Sequence, residues 1–252
     1  MYTELILTSV GVLSTCLCIL LAVFLLIANG PLKPANRFLA GFLFLTAVDI
    51  IGWAAALLPT AWRELLPYRL PFAYLQMPLL YAYAVLLCFP ARRSVRHLTG
   101  GIVAALACAI TLMPLPEGVT SSLLPGAGFN WVVNSIALHL QFYVYILLMG
   151  VVLAQYRLAY RQSHSNPATL TFKWLAVVVG VSFFAHTLVL VKSLAWLGHW
   201  SAAPALEVVV ALVAVVVICA MTLTALLRQD MFLGVAVEPA TGRPGPVVPG
   251  VL

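Results

Sequence analysis

Hydrophobic positions along this chain gather into seven long runs, over 5–28, 38–58, 72–89, 98–113, 131–156, 174–197 and 204–227. An apolar stretch of about 20 residues crosses a bilayer as a helix, whereas shorter ones usually pack inside soluble cores. The pattern therefore predicts an all-α membrane protein, a seven-transmembrane helix bundle.

The polar positions between the runs alternate in charge. Lys33 and Arg37 follow the first run, Arg92, Arg93 and Arg96 the third, and Arg157, Arg161 and Lys173 the fifth. On the other side stand Glu4, the segment around Glu117 without Lys or Arg, and the uncharged stretch near His199; Arg63, Glu64 and Arg69 together carry only one net positive charge. Short loops rich in Lys and Arg stay in the cytoplasm. That places the N-terminus outside and the C-terminus in the cytoplasm, and an even number of spans would break the alternation. The expected location is a bacterial inner membrane. The first run lacks the basic n-region and short h-region of a cleaved signal peptide and reads as a retained signal anchor.

Composition changes the picture in one respect. Hydrophobic residues make up 63% of the 252 positions and charged residues 8%, against roughly 25% charged in soluble domains. The net charge of +6 is then a topology signal, with anionic-lipid contact as a secondary role, and no direct nucleic-acid binding by this chain is expected. Residues 1–234 form the transmembrane domain. Residues 235–252 read as a flexible tail or linker, because four prolines and three glycines within 238–252 favour neither a core nor a regular helix. The segment 114–130, with Pro114, Pro116, Gly118, Pro125, Gly126 and Gly128, carries turn chemistry. Cys16, Cys18, Cys88, Cys108 and Cys219 all lie within spans and read as small apolar packers.

Three segments carry a family resemblance. PANRFLAGFLFL at 34–45 resembles the start of the second helix in the membrane modules of some bacterial regulators, which precede an AraC-type helix-turn-helix domain; related modules precede sensor kinases. LPFAYLQMPLLYAYAVLLCFPARRSVRHL at 70–98 is similar to the third helix and basic turn of those modules, with Pro78, Leu79, Leu80, Tyr81 and Tyr83 on its Pro-Leu-Leu-Tyr-x-Tyr core. ALLRQDMFLG at 225–234 is similar to their closing Leu-Arg-Gln-Pro segment, with Asp230 in place of the usual Pro. The resemblance implies a sensory, signal-transducing membrane module. Its partner would be a cytoplasmic regulatory domain, fused or associated at the C-terminus, and homodimerisation is one route for the signal.

Polar groups within hydrocarbon are costly, roughly 2.5–3.5 kcal/mol for a central Asp or Lys, so each is a functional candidate. Counted from the orientation above, Gln76, Asn134, His139, Lys192 and Glu207 fall in the outer half, with Asp49 near the middle and His186 on the face of Ser182 and Ser193. Asn134, Gln141 and Tyr145 share one face of the fifth span, and His139 lies on another. Asp49, Gln76, Asn134, His139, His186, Lys192 and Glu207 are accordingly the candidate ligand-binding residues, lining an outward-facing polar pocket for a small or lipid-like ligand. Each has a structural alternative: Asp49 as glue between helices, Lys192 and Glu207 as an ion pair, the histidines as packed core groups, and the Tyr and Trp residues as interface anchors.

No catalytic residue, metal site or cofactor is predicted. A retinal pigment needs a Schiff-base lysine, and the seventh span has none. No H-x-x-x-H or H-E-x-x-H spacing occurs. A small transporter, or an intramembrane enzyme drawing on His139, His186 and Asp49, remains the alternative to the sensor.

Overall fold

A computed structural model describes residues 2–90, 95–112, 127–163 and 169–227. The described residues are helical, with no strand among them. Helix α1 spans Tyr2–Ile27, α2 Lys33–Ile50, α3 Thr60–Leu65, α4 Leu70–Cys88, α5 Val95–Leu112, α6 Ala127–Ser163, α7 Thr169–Leu197 and α8 Ala203–Leu227. Six of these, with α2 counted through the 3-10 segment Ile51–Leu57, are long and apolar enough to cross a membrane. In α5 the apolar stretch is shorter, His97–Thr111. This is an all-helical membrane-protein fold.

The long helices run antiparallel in a ring. α1 packs between α2 and α8, α2 on α4, α4 on α6, α6 on α7 and α7 on α8, while α5 docks on α4 and touches α6. The end where α1 begins and α2 closes is called upper here, and the end where α8 closes lower. The main core lies toward the lower half, around Leu25, Leu39, Leu80, Tyr83, Met149 and Leu175, each at most 2% exposed. Trp174 Nε1 donates to the Tyr83 hydroxyl at 3.0 Å there, so the polar tips of two large aromatic residues satisfy each other. Away from the core, Leu13, Leu20, Phe44, Val103, Leu147 and Val216 are all exposed. Such an apolar outer surface would be an aggregation liability in water and suits contact with lipid.

Local chemistry explains several boundaries. Pro34 in the first turn of α2 uses a position whose N–H has no intrahelical acceptor. Gly11 of α1 meets Trp53 and Ala54 so closely that a Cβ there would stand 3.0 Å from both, the close approach that small residues allow between membrane helices. Past Ile50 the chain tightens to 3-10 geometry and ends before Pro59. Gly52 sits on this segment, and a side chain there would collide with the Arg69 guanidinium. Gly198 and His199 make the tight turn from α7 to α8. Gly198 admits the Trp200 indole, whose Nε1 would lie 2.6 Å from a Cβ, and His199 adopts the left-handed region at φ 53°, which histidine enters more readily than most residues.

Helix α7 is held differently from the others. Only 11% of its most apolar stretch is buried, against 28–44% for the other five membrane-length helices. The lower-end basic residues Lys33, Arg37, Arg157 and Lys173 lie on α2, α6 and α7, with the Arg157 guanidinium 5.9 Å from the Phe172 ring centroid. Arg92, Arg93, the segment around Glu117, residues 228–234 and the tail 235–252 lie outside the described residues, as do the side chains of Arg96 and Arg161.

Candidate functional site

The sequence-predicted residues separate into three places. Asp49 stands at the upper end of α2, exposed, 3.5 Å from Arg69 across the α3 segment. Gln76 of α4 donates from Nε2 to the Leu45 carbonyl of α2 at 3.3 Å. Neither is among the residues that line the cleft described below.

Asn134 belongs to a second group, between α4, α5 and α6. Its origin is Pro78, which has no N–H to offer the carbonyl four residues back. That carbonyl, of Tyr74, instead accepts from Gln141 Nε2 at 2.9 Å. The Tyr74 hydroxyl donates to the Asn134 carbonyl at 2.9 Å and reaches its Oδ1 at 3.3 Å, and Asn134 Nδ2 donates to the Thr111 hydroxyl at 3.0 Å and the Asn130 carbonyl at 2.8 Å. Gly101 of α5 closes the group: a Cβ there would lie 2.6 Å from Pro78 Cγ and 3.3 Å from the Tyr74 carbonyl oxygen. One turn lower, Tyr145 donates to the His97 carbonyl at 3.1 Å, and Tyr81 packs edge-on against both rings. Tyr74, Asn134 and Tyr145 are buried and the group is bonded between helices, with only the Gln141 Oε1 left without a partner among these contacts, the arrangement of helix cross-links.

The third place is a cleft at the upper end between α6, α7 and α8. His139 of α6 and His186 of α7 face each other with Nδ1 and Nε2 2.9 Å apart, and the Ser193 hydroxyl lies 3.1 Å from His139 Nε2. His186 is stacked on Phe142, centroids 3.4 Å apart and planes within 6°, and Tyr143 meets it edge-on. One residue from Ser193, Lys192 extends to Glu207 of α8, Nζ to Oε1 3.9 Å. Lys192, Ser193, Trp196, His199, Glu207 and Trp131 line a mouth of about 470 Å³. An adjoining groove of about 250 Å³ follows α6 and α7 past His139, Ile136, Leu140 and Leu190. The mouth falls in the size range of small-ligand sites, with a few polar groups on an apolar wall, and the groove extends it.

No family model, curated protein or solved structure matches the chain. The site therefore speaks through its own chemistry. Among the described residues no group of three His, Cys, Asp or Glu side chains is placed to hold a metal ion. Of the seven predicted residues, His139, His186, Lys192 and Glu207 come together at this cleft. Sequence reasoning left out Ser193 as a site residue and took Trp131 and Trp196 for interface anchors only. Their signal was position, since each lies near the upper end of α6 or α7, beside a candidate already named.

Proposed function

We propose that this protein is a seven-helix sensory module of the bacterial inner membrane, which binds a small or lipid-like ligand from the outside and signals to a cytoplasmic regulator. In this reading α5 is the seventh span, the upper end faces out and the lower end faces the cytoplasm. The all-basic set Lys33, Arg37, Arg157 and Lys173 at the lower end supports the orientation. The resemblance of 34–45, 70–98 and 225–234 to AraC-associated membrane modules supports a regulatory partner.

The observation that carries the reading is the upper cleft, with His139, Ser193, Lys192 and Glu207 on its walls. All three of its helices run from the cleft to the lower end, and α7 is the least buried of the membrane-length helices. A ligand that binds one arrangement of α7 against α8 better than another shifts that equilibrium by its difference in affinity and no more. Sparse packing keeps the difference needed small.

Native mass spectrometry of the gently purified protein, beside its Lys192→Met variant, tests this. The expected result is a specific co-purifying molecule on the wild type that the variant loses while keeping its melting temperature. Identical adducts on both proteins would contradict it.

A second reading is favoured by one contact. Ser193 Oγ and His139 Nε2, 3.1 Å apart on the wall of a cleft, have the separation of a nucleophile and its general base. Labelling of Ser193 by a fluorophosphonate, lost in Ser193→Ala and His139→Phe, would replace the sensor by an intramembrane hydrolase.

A further inference from the structure

The cleft changes character along its length, and that gradient specifies a ligand class; the inference rests on the sensory reading above. At the mouth, Lys192 and Glu207 stand 3.9 Å apart with 20% and 25% of their side chains exposed. That distance is the outer limit of an ion pair, and a pair so loosely engaged contributes little by itself. Each charge still has hydrogen-bonding capacity free for a ligand: the ammonium has three donors and the carboxylate two acceptor oxygens. Trp131 and Trp196 border the same mouth, and indole faces attract ammonium groups.

Further along the groove the lining becomes apolar. Ile136, Leu140, Leu190 and Leu194 form its walls between α6 and α7. Leu140 is 65% exposed and Leu194 50%, so the groove opens sideways, toward the position of acyl chains in a bilayer. His139 and Ser193, 3.1 Å apart, are polar groups set among these apolar residues.

Charge complementarity narrows the head group. An anionic amphiphile would meet Lys192 but press its charge against Glu207, and a cationic one would do the reverse. A head group with both charges satisfies both residues and replaces a stretched ion pair by two closer contacts. We propose that the cleft binds a phospholipid with a zwitterionic phosphate-and-ammonium head group. Its phosphate pairs with Lys192, its ammonium with Glu207 between the two indoles, and an acyl chain lies along Leu140 and Leu194. The sensed quantity is then the abundance of zwitterionic lipid in the leaflet that the upper end contacts.

Native mass spectrometry of the full chain in non-ionic detergent provides the test, with titrations of lysophosphatidylethanolamine, lysophosphatidylglycerol and free phosphoethanolamine. The zwitterionic lysolipid is expected to bind about tenfold more tightly than the anionic one. Lys192→Met and Glu207→Gln should each weaken it by about tenfold, and Glu207→Gln should at the same time strengthen the anionic lysolipid, since a repulsion is removed. Melting temperatures of both variants should match the wild type. Equal binding of the two lysolipids, still sensitive to Lys192→Met, would overturn the zwitterion assignment and leave the ligand cleft standing. Free phosphoethanolamine binding as tightly as its lysolipid would overturn the acyl-chain part in favour of a soluble ligand. Lipid binding indifferent to both substitutions would overturn this proposal and the sensory reading of the cleft together.

Discussion

The α4–α5–α6 interior and the α6–α7–α8 cleft both set polar side chains between apolar helices, yet they use them in opposite ways. In the interior, Tyr74, Asn134, Thr111 and Gln141 bond to one another and to a backbone carbonyl that Pro78 leaves without a partner. In the cleft, Lys192 and Glu207 hold each other at arm's length and Ser193 borders open space. Helix α6 serves both, with Asn134 and Gln141 on one face and His139 on the other. A polar residue in a membrane helix is therefore a cross-link where its neighbours close around it, and is left open to a ligand where they do not.

Substitutions can break that contrast, and the interior should respond most. Gly101→Val puts a branched side chain where Pro78 and the Tyr74 carbonyl already stand, so the bundle should lose about 1–3 kcal/mol by overpacking, read as a lower melting temperature in detergent. Gln141→Leu leaves the Tyr74 carbonyl buried without its donor, a loss of about 1–2 kcal/mol. Pro78→Ala restores an N–H four residues after Tyr74, and in that background Gln141→Leu should cost measurably less. Equal costs in the two backgrounds would show that Gln141 is not compensating for the proline.

The cleft should behave in the reverse sense. Lys192→Met is expected to change stability by at most about 0.5 kcal/mol, because the pair it breaks is long and partly exposed, while weakening ligand binding about tenfold. Asp49→Asn should have the smallest consequence of all. Its bridge to Arg69 is 3.5 Å long and the Asp49 side chain is 54% exposed, so both stability and ligand retention should stay near wild type. A large loss of ligand in Asp49→Asn would extend the site across to α2.

The helices were legible because apolar length is a one-dimensional property. All seven predicted runs overlap described helices, and α5, the shortest run, is also the shortest apolar helix. The division of α6 was legible too, since spacing at 100° per residue separates His139 from Asn134 and Gln141. What spacing withholds is the identity of the neighbour across each face. Asp49 was read near mid-depth because the apolar run continued to 58, but regular helix ends at Ile50 and Arg69 folds back over Gly52 to meet it. The partner of Asp49 lies twenty positions along the chain, beyond any periodicity. The role of Pro78 was hidden for the same reason: a proline announces an orphaned carbonyl, not the glutamine on another helix that caps it.

Accessibility separates the two regions most directly. In a background with the five native cysteines replaced by alanine, Ser193→Cys and Asn134→Cys can be exposed in intact cells to a membrane-impermeant thiol reagent. The account predicts rapid labelling at position 193 from outside, blocked by bound ligand, and none at position 134. Labelling at 193 only after the cells are opened, or equal labelling at both positions, would contradict an outward-facing cleft beside a closed interior.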